Sequence, residues 1–275
     1  MLSRIRIERI SPATEPAALE YLSQAPYDNV FLNYLVRFDR APAARQNLVV
    51  AVEDSRIAGV AYFGRQLVLA CEPHALAAFA DHAKRHCGDR MIVGPRSTVR
   101  AFWDLVRAWH SRPRLVRDRQ LVMAIDRNRL RPYPCNVTVR RARNDEWGAV
   151  VESSAQMIEH ELAYDPRRTS PDFVPTVREM IERDRWWVGE SDGQLCFFCS
   201  VGPWCDRTAQ LQGVWTPPEL RGRGLATASL AAICDRLLET SPTLSLHVND
   251  FNAPAIALYR RVGFEHASDY QTMLF

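Results

Sequence analysis

Short apolar runs alternate along this chain with longer segments in which apolar residues recur every three or four positions. The first kind of segment is typical of β-strands and the second of amphipathic helices. The opening stretch RIRIERI alternates charge with Ile and predicts a strand, and NVFLNYLVRF predicts one of the helices that follow it. The pattern therefore predicts an α/β protein in which strands and helices are mixed throughout.

The two halves of the chain repeat one order of predicted elements. In each half a strand, two helices and two strands come first, then a strand with a long helix, and finally a strand, a helix and a strand. Residues 47–64 and 185–202 are corresponding strand pairs, each joined at a polar turn. We expect two lobes, each a twisted mixed sheet flanked by helices.

The length of 275 residues suits two domains. The boundary is predicted in the Pro- and Arg-rich segment 127–136, where Pro132 and Pro134 favour an extended chain. The predicted domains are residues 1–130 and 136–275.

One corner between a strand and a helix differs between the halves. In the first half it reads ACEPHALAAFA, without glycine, and in the second it reads TPPELRGRGLA. Glycines at positions 222 and 224 leave the backbone open, and arginines at 221 and 223 add positive charge beside the predicted helix N-terminus. Such a helix start favours phosphate, so the corner suits a diphosphate, although a surface turn with solvated arginines is the alternative. The helix is predicted from about Gly224 to Leu237, with a buried stripe at Ala226, Leu230, Ile233 and Leu237.

Two motifs at this point resemble those of one family. The pattern Arg221-x-x-Gly224-x-Ala226 resembles the pyrophosphate loop of the GNAT N-acetyltransferases. The later signature of that family is matched in spacing by Asn252, Ala255, Leu258-Tyr259 and Gly263-Phe264. The close resemblance covers about residues 211–264, whereas residues 137–210 match in element order. The first half looks like a degenerate GNAT lobe, as in tandem-GNAT proteins.

The resemblance implies an enzyme that moves an acetyl group from acetyl-CoA to a primary amine by direct attack. The acceptor would be a small-molecule or peptide amine. Tyr259 would be the general acid that protonates the departing thiolate. The cofactor-binding residues implied by position are Val214, Trp215, Thr216, Arg221, Gly222, Arg223, Gly224, Leu225, Ala226, Thr227 and Asn252.

The base and the acceptor site are less specified by the sequence. His247 lies in the strand LSLHVN and is a candidate base, with a structural strand histidine as the alternative. Glu159, Glu161 and Asp165 lie where the family forms its acceptor wall, and they would attract a cationic amine. An ordinary solvated acidic helix end explains the same three residues.

The alternative to an enzyme is a non-catalytic sensor or interaction module that binds acyl-CoA on the same fold. Nucleic-acid binding is disfavoured, because the arginines of segment 112–131 are interrupted by acids and lack interleaved aromatic residues, and the net charge is only +3. No membrane helix and no signal peptide are predicted, which indicates a cytoplasmic protein. The oligomeric state stays open, with a homodimer as one alternative.

The seven cysteines do not form the pattern of a disulfide framework. The spacing of Cys196 and Cys199 is that of half a zinc site, but they lie in an apolar run without a second pair at ligand spacing. We therefore expect buried, reduced cysteines and no metal.

Overall fold

The structure is a computed structural model and describes residues 5–86, 90–134 and 136–275. Two of the cysteines considered above, Cys87 and Cys135, lie outside these ranges. The strands are β1 (Arg6–Arg9), β2 (Leu48–Glu53), β3 (Arg56–Phe63), β4 (Leu67–Cys71), β5 (Met91–Pro95), β6 (Leu115–Asp126), β7 (Thr138–Arg141), β8 (Trp186–Ser191), β9 (Gln194–Trp204), β10 (Ala209–Trp215), β11 (Thr243–Asn249) and β12 (Glu265–Leu274). The helices are α1 (Glu15–Ser23), α2 (Val30–Arg37), α3 (Pro42–Asn47), α4 (Leu76–His86), α5 (Arg96–Val106), α6 (Trp147–Leu162), α7 (Pro166–Thr169), α8 (Phe173–Glu182), α9 (Leu225–Leu237) and α10 (Ala253–Val262).

The strands form one mixed sheet of 12 strands, in the order β1-β2-β3-β4-β5-β12-β6-β11-β10-β9-β8-β7. Parallel pairing occurs between β4 and β5 and between β10 and β11, and the other neighbours are antiparallel. The predicted α/β class and the helices that flank a mixed sheet are confirmed. The sheets of the two halves are continuous with each other.

The last strand of each half is exchanged between the halves. Strand β6 closes the first half in sequence, yet it lies between β11 and β12, and it pairs with β11 from Thr243 opposite Asp126 to Asn249 opposite Gln120. Strand β12 closes the second half and pairs with β5 on its other side. Because of this exchange, backbone hydrogen bonds join the two halves across the middle of the sheet. The domain boundary at residues 127–136 stays a prediction.

Helices cover both faces of each half of the sheet. In the first half α1 and α2 pack on one face and α4 and α5 on the other. In the second half α6 and α8 pack on one face and α9 and α10 on the other. The exchanged strand contributes the buried side chains of Met123 and Ile125 to the core beneath α9 and α10. Within the described residues, each helix is too short or too polar to cross a membrane.

Candidate active site

Strands β10 and β11 separate from each other near the middle of the sheet. Within the described residues 136–275, β10 pairs with β11 at Ala209 and Gln210. Beyond these positions a bulge in β10 between Gln212 and Trp215, where Gly213 has a φ of +60°, turns the strand away. A bulge of this kind bends a strand and interrupts its ladder. The backbone of Val214 to Thr216 therefore lies at an opening in the sheet rather than in a parallel ladder.

The glycine corner, residues 217–224, connects the end of β10 beside this opening to the N-terminus of α9. Gly222 and Gly224 have φ values of +75° and +80°, a left-handed conformation that glycine adopts at little cost. A Cβ added to Gly222 would meet nothing within 4 Å, so the space on this side of its backbone is open. Helix α9 begins at Leu225 and ends at Leu237, as predicted. Its first N–H groups have no partner within the helix and carry partial positive charge.

Arg221 is held in place by the end of β10. Its Nε donates a hydrogen bond to the Thr216 carbonyl at 3.0 Å, and its guanidinium stacks over the Trp215 ring at 4.5 Å. The charge of Arg221 is thus fixed beside the glycine corner. Arg223 is exposed, and the described residues around the cavity do not include it.

A cavity of about 570 Å³ connects the strand opening, the glycine corner and α10. Most residues predicted to bind the cofactor line it, together with the predicted acid and one predicted acceptor residue. These are Val214, Trp215, Thr216, Arg221, Gly222, Gly224, Leu225, Ala226, Thr227, Asn252, Tyr259 and Glu161. Arg221 in the first motif and Tyr259 in the second, 38 positions apart in sequence, therefore lie on one surface.

Tyr259 reaches the cavity from α10. The side chain of Asn252 caps this helix, since its Oδ1 accepts a hydrogen bond from the Ala255 N–H at 3.2 Å. The Tyr259 ring is buried edge-on against Phe264, and its pKa is raised above the ordinary value by burial and, next, by the Glu161 carboxylate. The hydroxyl therefore keeps its proton at neutral pH and is available as a donor.

His247 lies away from this cavity. Among the described residues, those that line the cavity do not include it. The ring stacks on Tyr270 with centroids 4.4 Å apart, and its Nε2 lies 3.2 Å from the side-chain amide of Gln210. Burial lowers the pKa of His247 to about 4. The imidazole is thus neutral at pH 7 but a weak base.

The remaining two predicted acceptor residues have other surroundings. Asp165 caps α7, because its Oδ1 accepts hydrogen bonds from both the backbone N–H and Nε of Arg167 at 2.9 Å. Glu159 lies beside Pro218 and Glu219 at a separate, more open depression. Neither is among the described residues that line the main cavity.

The sequence analysis did not identify two residues that line the cavity and one that contacts a lining residue. His160 follows Glu159 on α6 and lines the cavity, with its ring 5.9 Å from that of Trp215. Arg117 on the exchanged strand β6 forms an ion pair with Glu161, with Nη2 and Oε2 3.2 Å apart. Tyr133 lines the cavity from the segment between the halves. His160 could have been found as a neighbour of the acidic residues, whereas nothing local marks Arg117 or Tyr133.

The arginines and cysteines singled out in the sequence have ordinary structural surroundings. Within segment 112–131, ion pairs join Arg119 to Asp269 and Arg127 to Asp235. Cys196 and Cys199 are buried in β9.

Comparison with protein families matches two parts of the chain. The model of the acetyltransferase (GNAT) family matches residues 154–264. A domain of unknown function, DUF4081, matches residues 47–150, which include most of the first half and extend past the predicted boundary.

Comparison with individual proteins gives a short sequence match and long structural ones. A mycothiol acetyltransferase from Acidimicrobium ferrooxidans is 36% identical over 94 residues, and the match covers 30% of this chain and 30% of that protein. A Drosophila protein of known structure superposes with a TM-score of 0.72 at 11% identity, covering 98% of both chains. A tandem GNAT protein from the clavulanic acid biosynthesis pathway superposes with a TM-score of 0.58 at 18% identity, again covering 98% of both chains. The structural matches establish the tandem fold.

Proposed function

We propose that the chain transfers an acetyl group from acetyl-CoA to a primary amine, because the acetyltransferase (GNAT) family model matches residues 154–264 and a tandem GNAT protein shares the fold. The observation that supports the proposal most is the cavity itself. It brings the opening between β10 and β11, the glycine corner and the Tyr259 side chain onto one surface. The name of the mycothiol acetyltransferase does not identify the acceptor of this chain, because that match covers only 30% of each protein.

The cofactor fits the cavity by the chemistry of its parts. The N–H groups at the start of α9, with the charge of Arg221, would bind the diphosphate of CoA. The backbone of Val214 to Thr216 would pair with the pantetheine amides, because the bulge leaves it beside an opening. The acetyl group would then lie deeper in the gap, toward Tyr259.

The transfer is a direct attack. The amine nitrogen forms a bond to the thioester carbonyl carbon, the carbon–sulfur bond breaks, and CoA leaves as a thiolate. The Tyr259 hydroxyl donates a hydrogen bond to that sulfur as negative charge develops on it. Because burial raises the pKa of Tyr259, a hydrogen bond to the developing thiolate is favoured over complete proton transfer.

The amine must lose a proton before or during the attack. Glu161 would attract its ammonium form, since this carboxylate lines the cavity. Arg117 holds Glu161 in position at 3.2 Å and partly offsets its charge. His160 lines the same cavity and is the better candidate for the base, because His247 lies outside it and has a lowered pKa.

The test is a screen of amines with acetyl-CoA in which the released thiol is measured. The panel contains an amino acid, a polyamine, a drug-like amine and peptides with a free α-amine or lysine side chain. We expect turnover with at least one amine, and Tyr259→Phe to lower kcat about 100-fold with the Kd for CoA kept.

Two results would contradict the proposal in different ways. Tight CoA binding without turnover for any amine would favour the acyl-CoA sensor. A Tyr259→Phe variant with unchanged kcat would remove this residue from the mechanism while leaving acetyl transfer in place.

A further inference from the structure

The segment that connects the two halves, residues 127–134, packs against the second half of the chain. The Arg131 N–H donates a hydrogen bond to the Val262 carbonyl at 2.9 Å, at the C-terminal end of α10. The carbonyl of Arg129 lies so close to Gly263 that a Cβ at this position would overlap it. Leu130 packs against the core beneath α9 and α10. The segment therefore follows a defined path along the domain before it reaches the glycine corner.

Tyr133 extends from this segment over the N-terminus of α9. A Cβ added to Gly224 would lie 3.2 Å from Cε1 and 3.3 Å from the hydroxyl oxygen of Tyr133. Two features thus favour glycine at position 224: its φ is left-handed, and the Tyr133 ring occupies the space that a Cβ would need. Gly222, by contrast, faces open space. Tyr133 also lines the cavity, and 39% of its surface remains exposed.

The position of the hydroxyl defines what it would contact. It lies beside the residue that caps α9, where the free N–H groups of the first turn begin. A tyrosine hydroxyl is a hydrogen-bond donor, and donors to charged phosphate oxygens form stronger bonds than donors to neutral acceptors. We propose that Tyr133 is a cofactor-binding residue whose hydroxyl donates to the CoA diphosphate. The proposal rests on the acetyl-CoA site described above and assigns a cofactor contact to the connecting segment.

The test is calorimetric titration of CoA into the full-length protein and three variants. Tyr133→Phe removes the hydroxyl alone, and Tyr133→Ala removes the ring as well. Trp109→Ala is the matched control, because Trp109 is equally exposed, at 38%, and lies just beyond α5 in the first half. We expect Tyr133→Phe to raise the Kd about tenfold or more, Tyr133→Ala to raise it at least as much, and the control to bind as the parent does.

Each result distinguishes this proposal from the one on which it rests. A parent protein that does not bind CoA would contradict the acetyltransferase function itself. CoA binding by the parent with an unchanged Kd in Tyr133→Phe would overturn the hydroxyl contact alone. Tighter binding by Tyr133→Ala would also overturn it, because the tyrosine would then obstruct the corner. Circular dichroism of each variant separates a loss of binding from a loss of folding.

Discussion

Two histidines of the second half lie in contrasting surroundings. His160 lines the cavity, whereas His247 stacks on Tyr270 and lies near the amide of Gln210. A general base must reach the proton that it removes, directly or through one water. We expect His160→Gln to lower kcat at least tenfold and His247→Gln to leave kcat within about twofold, measured with the amine found in the screen. The reverse order would restore His247 as the base.

The same pair of variants separates catalysis from acid stability. The folded-state pKa of His247 is about 4, below the 6.5 of the unfolded chain, so the unfolded state binds a proton first as the pH falls. The stability due to neutral His247 is therefore complete above pH 6.5 and is lost as the pH falls toward 4. By pH 5 the parent should lose about 2 kcal/mol of unfolding free energy that His247→Gln keeps. Urea unfolding at pH 7 and pH 5 measures the difference, and equal losses in both proteins would contradict it.

Individual site residues were predictable where a motif fixed their positions. The spacing from Arg221 to Tyr259 placed both on the cavity, because each lies at a defined point on a strand–helix unit. No such motif fixed Asp165, which was expected near the acceptor only because its segment corresponds to the acceptor wall of the family, and it caps α7. A cap and a binding carboxylate look the same in sequence, since both are an acid near a helix end.

At the scale of elements, the prediction of CoA binding depends on the corner between β10 and α9. Gly222→Glu would place a carboxylate in open space where the diphosphate is expected, and like charges at about 4 Å repel by several kcal/mol in a partly buried site. We expect the Kd for CoA to rise at least 100-fold. Gly222 is a cleaner position than Gly224, where a side chain would also displace Tyr133.

A matched control for this variant exists in the same domain. Gly193, in the turn between β8 and β9, has a φ of +76° and a Cβ there would also meet nothing within 4 Å. Gly193→Glu thus introduces the same backbone strain and the same charge away from the cavity. Equal Kd values for the two variants would show that strain or net charge, not the diphosphate contact, causes any loss. Calorimetry on both proteins gives the comparison.

The elements were predicted more reliably than their irregularities. Apolar spacing predicted α9 from a buried stripe, of which Leu230, Ile233 and Leu237 are buried. Ala226 is only half-buried, because it lines the cavity at the start of the helix. The bulge that opens β10 was not predicted, because the glycine at 213 is compatible with a regular strand as well. The apolar run RQLVMAID predicts a strand only over residues 119–126, whereas β6 begins at Leu115. Residues 117–120 are all polar or charged, so their sequence shows no strand alternation.

At the scale of the whole molecule, the repeat predicted which strands each half contains but not which strands pair. A strand with one apolar face can bury that face in the sheet of either half, so the alternation of apolar residues does not show which strand it pairs with. The structure shows that β6 lies between β11 and β12 and that β12 reaches β5. The boundary predicted from composition at residues 127–136 divides the sequence into two halves, but it does not divide the sheet at the same place.

The exchange predicts that the second half does not fold alone. Residues 136–275 lack β6, which pairs with both β11 and β12 and supplies Met123 and Ile125 to the core. Without it β12 has no neighbour on either side, since β5 also belongs to the first half. The burial lost with two large apolar side chains amounts to several kcal/mol, comparable to the stability of a whole domain.

We therefore expect residues 136–275 expressed alone to show no cooperative thermal transition by circular dichroism and no CoA binding. Co-expression of residues 1–135 with 136–275 should restore both, because the exchanged strands pair without needing a covalent link and Tyr133 remains on the first fragment. If the second half alone unfolds cooperatively and binds CoA with the Kd of the full chain, the exchange is dispensable. The first half would then contribute nothing to the site through Arg117 or Tyr133, so this experiment also bears on the two contacts that cross between the halves.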